Sequence, residues 1–429
     1  MKAIILSIGD ELTLGQTVDT NSAWLSARLT EAGVITEYHQ TVPDKFAAIV
    51  EALKTAASSA ELVIATGGLG PTADDLTRQA AAAAIGAKPT LHVPSLKKIE
   101  KFFRKIGRKM SANNRIQAMI PRGAKVADNP VGTAPGFIFS LGKAKVMVLP
   151  GVPGEMKVMF DRHISSLLDA KNKRVILTAK LNTFGLGESV AAARLGKMMD
   201  RDRNPVVGTT VSGGIVSIRI RGEFEHGNLN QAKSAMRRTI DKIRKLLGDH
   251  VFGEDDVTLA EAVGSLLASR NKTLATAESC TGGMLGAMIT QAAGSSKYYL
   301  GGWVVYANRM KTENLSVPDY LIRRKGAVSE DVAKKMAEGA LLKANADCVL
   351  AITGIAGPDG GTRAKKVGTV WIALAERRAA GIEVNAEKFL FSGDRAMIRE
   401  RAARTALNIL RLRLHQPMGC RQRRPGKRA

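Results

Sequence analysis

The stretch Thr276-Ala277-Glu278-Ser279-Cys280-Thr281-Gly282-Gly283 decides how the last third of this 429-residue chain folds. It runs from an apolar strand (residues 273–277) through a turn into a helix that follows Gly283. Ser279 then lies at the positive end of that helix, where backbone N–H groups lack helical partners and can hold an oxyanion. Gly282 and Gly283 allow a substrate to approach the backbone closely. The octapeptide alone supports a helix-capping serine at least as well as a nucleophile.

A serine nucleophile needs a base, and the sequence narrows the choice. No histidine occurs between residues 256 and 414, which disfavours a Ser–His–Asp triad and favours a serine–lysine pair. Tyr306 ends a second apolar strand (residues 303–306), and Lys311 follows it. A lysine acts as a base only where burial or nearby positive charge, such as that of Arg309, lowers its pKa. The alternative is that Lys311 is an ordinary surface lysine.

A glycine-rich loop, residues 353–361, follows a third apolar strand (residues 348–352). A loop of this kind at the carboxyl end of a sheet strand is a common place to bind phosphate or ribose. Alone it is equally well explained by a tight turn, but three loops that each end a buried strand indicate one site. The residues that we assign to substrate binding are Cys280, Thr281, Gly282, Gly283, Thr353, Gly354, Gly357 and Gly360.

Apolar runs and helical spacing alternate along most of the chain, which predicts an α/β fold with parallel sheets covered by helices. Residues 1–170 form the first α/β domain, residues 171–255 a small α+β domain, residues 256–414 a second α/β domain, and residues 415–429 a tail. Predicted strands are residues 3–8, 34–41, 61–65, 145–149, 175–183, 214–222 and 368–374, besides the three already named. Predicted helices are residues 21–32, 45–57, 75–85, 230–247, 259–269, 329–345 and 395–414.

The first domain carries glycine-rich turns beside carboxylates. A turn that opens a helix is a phosphate cradle, and adjacent carboxylates can hold Mg²⁺ against a pyrophosphate. We assign nucleotide binding to Gly9, Glu11, Asn21, Thr66, Gly67, Gly68, Gly70, Pro71, Gly151 and Glu155. The candidate metal ligands are Asp10, Asp74 and Asp75. Capping of the alanine-rich helix explains Asp74 and Asp75 about equally well.

The chain is strongly basic, with 64 Lys and Arg against 39 Asp and Glu and a net charge of +25. Such a charge suggests nucleic acid, but the basic residues are scattered and aromatic residues make up only 4%, which leaves little for base stacking. We expect the basic tail to be a disordered end. Nucleic acid stays a minor option as a partner.

Cysteine usage and hydropathy indicate a cytoplasmic protein. The three cysteines lie far apart, which excludes a disulfide framework or a CxxC zinc site and is typical of a reducing compartment. The apolar start of the chain stops at Gly9-Asp10-Glu11, too soon for a signal peptide. No window approaches the ~20 apolar residues of a membrane helix, so we expect no membrane partner.

The motifs ESCTGG (278–283), YANRMK (306–311), TGIAGPDGG (353–361) and KVGTV (366–370) resemble the C-terminal domain of the CinA family, the nicotinamide mononucleotide amidohydrolases. The resemblance covers residues 258–414. It implies a serine–lysine pair at Ser279 and Lys311, assistance from Tyr306, a pocket lined by Thr353 and the following glycines, and no cofactor. The family's tyrosine motif is usually YSNEAK, so residues 307 and 309 depart from it while the tyrosine and the lysine are kept.

The motifs SIGDEL (7–12), DTN (19–21), TGGLGPTADDLTR (66–78), NPVGTAPGF (129–137) and LPGVPGEM (149–156) resemble the MoaB/MogA-like molybdopterin-binding domain found at the N-terminus of CinA proteins. This resemblance implies a divalent metal, Mg²⁺ or similar, and hydrolysis of ADP-ribose to AMP and ribose 5-phosphate. The same fold also occurs as a pterin binder. The middle segment, with Gly185-Leu186-Gly187, resembles the linker domain of the family and is assigned no chemistry.

Together the two resemblances imply an enzyme of pyridine nucleotide salvage with two activities. Its substrates would be nicotinamide mononucleotide, which yields nicotinate mononucleotide and ammonia, and ADP-ribose. A homodimer is the family expectation. The alternative is a pterin- or nucleic-acid-binding protein in which one or both catalytic sites are degenerate.

Overall fold

The computed structural model describes residues 1–168 and 174–415. The chain divides into two compact units, one formed by residues 1–178 and 222–234 and the other by residues 179–221 and 235–429. The basic tail beyond residue 415, for which a disordered end is expected, lies outside the described residues. Within the described ranges, no helix is long and apolar enough to cross a membrane.

The first α/β domain is built on a mixed sheet of six strands in the order β2-β1-β3-β8-β7-β6. Its strands are β1 (Lys2–Ile8), β2 (Ile35–Val42), β3 (Leu62–Thr66), β4 (Pro89–Leu91), β5 (Met119–Pro121), β6 (Lys125–Ala127), β7 (Gly136–Leu141) and β8 (Ala144–Leu149), with β4 and β5 forming a separate pair. Its helices are α1 (Asp10–Thr13), α2 (Thr20–Glu31), α3 (Phe46–Ser59), α4 (Thr77–Ala84), α5 (Val93–Lys105) and α6 (Pro153–His163).

Strands β1, β3 and β8 form the parallel centre of this sheet. Their side chains are apolar on both faces because α3 and α4 cover one face and α2 and α6 cover the other. The predicted central strands are therefore confirmed. The sequence does not predict the short antiparallel strands β6 and β7. Since the carboxyl ends of parallel strands meet at one edge, the turns after β1, β3 and β8 converge there.

The middle domain has a four-stranded sheet in the order β10-β11-β9-β12. The strands are β9 (Arg174–Phe184), β10 (Val206–Ser212), β11 (Ile215–Glu225) and β12 (Val251–Glu254), and the helices are α7 (Glu188–Leu195) and α8 (Leu229–Leu247). Strands β10 and β11 form a hairpin whose two turn residues, Gly213 and Gly214, have φ angles of 55° and 80°. Glycine suits this turn because both residues have a positive φ.

The C-terminal α/β domain has a five-stranded sheet in the order β14-β13-β15-β16-β17. The strands are β13 (Leu274–Glu278), β14 (Tyr299–Val304), β15 (Cys348–Gly354), β16 (Thr369–Arg378) and β17 (Gly381–Leu390). The helices are α9 (Leu259–Ser269), α10 (Met284–Gln291), α11 (Asn308–Leu315), α12 (Asp319–Lys325), α13 (Glu330–Ala344) and α14 (Arg395–His415). One face packs on α9, α10 and α14, and the other packs on α12 and α13.

Two strands of this sheet differ from the sequence prediction. Strand β14 begins at Tyr299 instead of residue 303, and it contains Gly301 and Gly302, which are rare in strands. Strand β17 is not predicted at all, because most of its residues are exposed and it contains no continuous apolar run. Both strands lie at sheet edges, where one-sided burial weakens the apolar signal.

Candidate active site

Three loops of the C-terminal domain meet where β13, β14 and β15 end. Strand β13 pairs in parallel with both neighbours, so the carboxyl ends of all three strands lie at the same edge. The Ser279 N–H donates to the carbonyl of Ile352 at 2.9 Å, and the Val305 N–H donates to the carbonyl of Glu278 at 2.8 Å. The sheet ladder thus continues into the loops and fixes the backbone around Ser279.

Lys311 lies in α11 and points back under these loops, with 1% of its surface exposed. Its Nζ lies 3.1 Å from Ser279 Oγ, 2.9 Å from the carbonyl oxygen of Val305 and 3.0 Å from that of Tyr306. All three partners are uncharged oxygens. The alternative of a surface lysine is therefore wrong.

Burial lowers the pKa of Lys311 from 10.5 to about 8. Arg309 is not the cause, because its side chain is 80% exposed and pairs with Glu313. A neutral amine has two N–H donors and one lone pair, which match the two carbonyls and the Ser279 hydroxyl in number and kind. The geometry therefore suits a lysine that accepts the Ser279 proton.

Several backbone N–H groups near Ser279 already donate to acceptors within the protein. The Gly282 N–H donates to the Ser279 carbonyl at 3.1 Å. The N–H groups of Leu285 and Gly286, in the first turn of α10, donate to the buried carboxylate of Glu278 at 3.0 and 2.8 Å. Ser279 does not cap α10, since the helix begins after Gly283 without a side-chain cap.

Three N–H groups of this loop, those of Cys280, Thr281 and Gly283, have no hydrogen-bond partner in the described part of the chain. The Thr281 hydroxyl is also buried without a partner there. Because Gly282 and Gly283 have φ angles of 59° and 91°, the loop can turn these groups toward one side.

The neighbouring thiol is not a competing nucleophile. Cys280 is 6% exposed, and burial raises its pKa to about 11, so it stays protonated at neutral pH. A Cβ on Gly354 would lie 3.1 Å from the Cys280 sulfur, so the thiol packs against the glycine-rich loop. The Thr353 hydroxyl donates to the carbonyl of Ala327 at 2.9 Å and holds the start of that loop.

Two arginines of α14 join this site, and the sequence does not predict them. Arg395 donates to the Gly357 carbonyl at 2.7 Å and to the Tyr306 hydroxyl at 3.1 Å, and Arg399 donates to the Thr281 carbonyl at 2.7 Å. The Tyr306 ring is 59% exposed, and only its backbone carbonyl contacts Lys311. The two arginines, one helical turn apart, thus place positive charge over all three loops.

A cleft of about 510 Å³ opens at the corresponding edge of the N-terminal sheet. Every residue assigned above to nucleotide binding lines it, together with Asp74 and Asp75, whereas Asp10 does not. The backbones of Gly67 and Ile8 lie so close together that a Cβ on Gly67 would lie 2.0 Å from the carbonyl oxygen of Ile8. Asn21 donates to the Gly151 carbonyl at 2.8 Å, while its buried Oδ1 lacks a partner among the described residues.

Asp75 and Arg78 hold the glycine-rich loop of this cleft. Asp75 accepts from the N–H groups of Gly70 and Thr72 at 2.6 and 2.8 Å, so it closes the loop and does not cap α4. Arg78 is fully buried and donates to the carbonyls of Leu69 and Gly70. Burial lowers the pKa of Arg78 to about 10, which still leaves a positive charge beneath the loop at neutral pH.

Several carboxylates lie close together at this cleft. The sequence analysis does not single out Asp44, whose carboxylate accepts from the Asp10 N–H at 2.9 Å while its own N–H donates to the Asp10 carboxylate at 3.1 Å. Burial raises the pKa of Asp44, and the negative charges of Asp10, Glu11 and Asp74 raise it further. No group of three or more His, Cys, Asp or Glu side chains arranged to hold a metal occurs in the ranges that the structure describes.

Comparison with known proteins identifies the family to which this chain belongs. Family models match residues 4–170 (probable molybdopterin binding domain), 178–253 (damage-inducible protein CinA KH domain) and 256–414 (CinA C-terminal domain). A putative competence-damage inducible protein of Symbiobacterium thermophilum is 42% identical over 420 residues, which cover 96% of this chain and 98% of the relative. This chain belongs to the CinA family.

Other relatives bear CinA names as well. A CinA-like protein of Geobacter metallireducens is 42% identical over 417 residues, which cover 96% of this chain and 99% of that protein. The crystal structure of a CinA protein of unknown function from Thermoplasma acidophilum is 34% identical, with a TM-score of 0.37, and covers 39% of this chain and 98% of its own. The predicted combination of a MoaB/MogA-like domain, a small middle domain and a CinA C-terminal domain is confirmed.

The reactivity of Ser279 in this CinA chain can be measured without any substrate. Only the neutral form of Lys311 can accept the serine proton, so reaction with a sulfonyl fluoride is expected to rise with pH and to level off above about 8. Lys311→Arg keeps a permanent charge and should abolish labelling at every pH tested. Mass spectrometry of the labelled peptide gives the rate.

Lys343→Arg, an exposed lysine of α13, is the matched control and should label like the wild type. Labelling of Ser279 that is independent of pH between 6 and 9 would contradict the role given to Lys311.

Proposed function

We propose that the C-terminal domain is a serine amidohydrolase that converts nicotinamide mononucleotide to nicotinate mononucleotide and ammonia. The observation that carries the proposal is the buried Lys311 amine, 3.1 Å from Ser279 Oγ and bonded only to uncharged oxygens. The resemblance of the three loops to the nicotinamide mononucleotide amidohydrolases supplies the substrate.

The reaction proceeds in two halves. Ser279 Oγ attacks the carboxamide carbon while its proton passes to Lys311 Nζ, and the N–H groups of Thr281 and Gly283 stabilise the oxyanion. The C–N bond then breaks, and Lys311 gives the proton to the departing nitrogen, which leaves as ammonia. In the second half, water attacks the acyl-enzyme, Lys311 takes a proton from that water, and Ser279 leaves with it as the free hydroxyl.

Arg395 and Arg399 account for recognition of a phosphorylated substrate. Their guanidinium groups lie at the rim of the three loops and keep donors that the loop carbonyls do not use. Planar guanidinium groups match the geometry of phosphate oxygens. The 5′-phosphate of nicotinamide mononucleotide is therefore proposed to bind to these two side chains, while the nicotinamide reaches Ser279.

The decisive experiment is ammonia release from nicotinamide mononucleotide by the purified full chain. Ser279→Ala removes the attacking oxygen, so turnover should fall by at least about three orders of magnitude. Ser296→Ala, an exposed serine in the turn before β14, is the control and should keep wild-type turnover. Wild-type turnover by the Ser279→Ala protein would remove the serine from the mechanism.

Arg395 can be tested by comparing substrates with and without the phosphate. Loss of a charge-assisted hydrogen bond of roughly 1.5–3 kcal/mol predicts that Arg395→Gln lowers kcat/KM for nicotinamide mononucleotide about 10- to 100-fold. Nicotinamide riboside, which lacks the phosphate, should be turned over equally by wild type and variant. An equal loss with both substrates would show that Arg395 does not bind the phosphate.

A second activity is proposed for the N-terminal cleft, the metal-dependent hydrolysis of ADP-ribose to AMP and ribose 5-phosphate. The specific observation is the raised pKa of Asp44 beside Asp10, Glu11 and Asp74, carboxylates whose repulsion a cation would relieve. Mg²⁺ usually binds one or two carboxylates and keeps several waters, so a larger cluster of ligands is not required.

Binding of a pyrophosphate would need both a cation held by carboxylates and a positively charged loop for the phosphates. Asp44 and Asp74, which line the cleft, would hold the divalent cation, which would supply Lewis-acid activation of a phosphoryl oxygen when bound. The glycine-rich loop above Arg78 presents backbone and positive charge to the phosphates. Asp75 stays a proposed ligand, although its hydrogen bonds to Gly70 and Thr72 give it a clear structural task.

Metal binding is tested by calorimetric titration of Mg²⁺ into the full chain in the absence of ADP-ribose, so that no hydrolysis occurs during the titration. Asp44→Asn removes a negative charge from the wall and should weaken Mg²⁺ binding by about ten-fold or more. Asp161→Asn changes a carboxylate that pairs with Arg28 and does not line the cleft, so it should leave Mg²⁺ affinity unchanged. Equal affinity in wild type and Asp44→Asn would exclude Asp44 as a ligand.

A further inference from the structure

Helix α14 connects the amidohydrolase loops to the middle domain through arginine side chains. Near its start, Arg395 and Arg399 donate to the carbonyls of Gly357 and Thr281. Farther along, Arg404 donates to the carbonyl of Gly213, at the tip of the β10–β11 hairpin. Arg411 donates to the carbonyls of Asp249 and Val251. One helix therefore contacts the catalytic loops near its start and the middle domain through Arg404 and Arg411 farther along.

We propose that Arg404 is a positioning residue through which the β10–β11 hairpin sets the location of Arg395 and Arg399 over the substrate phosphate. This inference rests on the proposed amidohydrolase function. It gives the middle domain, to which no chemistry is assigned, a role in the affinity of the C-terminal site for its substrate.

The contact at Gly213 is shaped for a guanidinium group. Gly213 has a φ of 55°, and a Cβ at this position would lie 1.8 Å from Arg404 Nη1. The guanidinium thus fills the space that any other side chain of the turn would need. Arg404 is also held by Glu400, at 2.7 Å, so its direction is fixed from both sides.

Arg404 lies close enough to Arg399 and Arg395 on α14 for the hairpin contact to affect their positions. At 1.5 Å per residue, Arg404 lies roughly 7.5 Å along the axis from Arg399 and roughly 13.5 Å from Arg395. Because the three arginines lie on one continuous helix, a shift of α14 at the hairpin contact would also move Arg395 and Arg399. Misplacement of a binding group by about 1 Å can cost up to 100-fold in rate or affinity.

The effect should appear in binding more than in chemistry. Arg395 and Arg399 contact the loops at the rim, whereas Ser279 and Lys311 are held by the sheet ladder and by backbone carbonyls. Loss of a contact that is equally strong in the ground state and the transition state raises KM and leaves kcat unchanged. Disturbing the hairpin contact should therefore raise KM for nicotinamide mononucleotide without slowing the chemical step.

The hairpin itself supplies a matched pair of variants. Gly213→Ala and Gly214→Ala both put alanine at a positive φ, but only Gly213 touches Arg404, and the nearest atom to a Cβ on Gly214 is a Phe184 carbon at 3.8 Å. Both variants therefore introduce backbone strain, but only Gly213→Ala introduces a clash with Arg404. Arg404→Gln disturbs the same contact from the other side.

The experiment measures kcat and KM for ammonia release, and the Kd of nicotinamide mononucleotide by calorimetry in the Ser279→Ala background. We expect Gly213→Ala and Arg404→Gln each to raise KM and Kd about three- to ten-fold with kcat within about two-fold of wild type. The double variant should be no worse than the singles, because both remove one interaction. Gly214→Ala should keep the wild-type KM, whatever its thermal midpoint.

Three results would overturn the inference. They are an unchanged KM and Kd in Arg404→Gln and Gly213→Ala, an equal rise in KM for Gly214→Ala, and a loss confined to kcat. Failure of the proposed function is seen separately, as absence of ammonia release by the wild type. In that case, the Kd comparison in the Ser279→Ala background still tests whether the hairpin controls binding at this site.

Discussion

The C-terminal site depends on the burial of one amine. Lys311 is 1% exposed, and its ammonium form has no carboxylate partner among the residues described, only two carbonyls and a hydroxyl. The fall of its pKa from 10.5 to about 8 corresponds to a differential interaction on the order of 3 kcal/mol between its two protonation states. Parallel pairing of β13 with β14 and β15 makes that burial feasible, because it brings three loops together over the lysine.

The same burial acts on the other titratable groups nearby. Removal from water disfavours the charged form of any group, so it lowers the pKa of Lys311 and raises that of Cys280. The Cys280 thiol therefore stays protonated at neutral pH, while the fraction of Lys311 that is neutral increases as the pH rises toward about 8. The positive charge that the proposed phosphorylated substrate would need then lies outside the buried zone. Arg395 and Arg399 supply it from α14, at the rim of the loops.

The sequence predicts most of the fold and the pairing of Ser279 with Lys311, and it does so for identifiable reasons. Buried parallel strands such as β3 and β15 are continuous apolar runs, and the glycines and polar residues that follow them mark the loops. Arg395 and Arg399 leave no comparable signal, because they lie more than eighty residues from the tyrosine loop in a helix whose spacing reflects only packing. Their place in the site is decided by the way α14 crosses the sheet.

The sequence does not predict the role of Asp44 or the full extent of the edge strands, and the reasons are related. Asp44 follows β2 and is adjacent to Asp10 only because β1 and β2 pair in parallel register. Strand β14 contains two glycines, and β17 exposes most of its residues, so neither shows the continuous apolar run of the central strands. Sequence patterns register what is buried within one element, whereas contacts between the ends of different elements become visible only with the coordinates.

The two sites of this CinA protein have opposite electrostatic surroundings, although both lie at the carboxyl ends of parallel strands. In the C-terminal domain a buried lysine must lose its charge, and every neighbour that touches it is uncharged. In the N-terminal cleft, carboxylates remain close enough to raise the pKa of Asp44, and a buried Arg78 lies under the facing loop. A serine–lysine pair would be disabled by such carboxylates, because they would stabilise the ammonium form. A cation site would be disabled by an apolar wall, so each chemistry requires the surroundings that the other excludes.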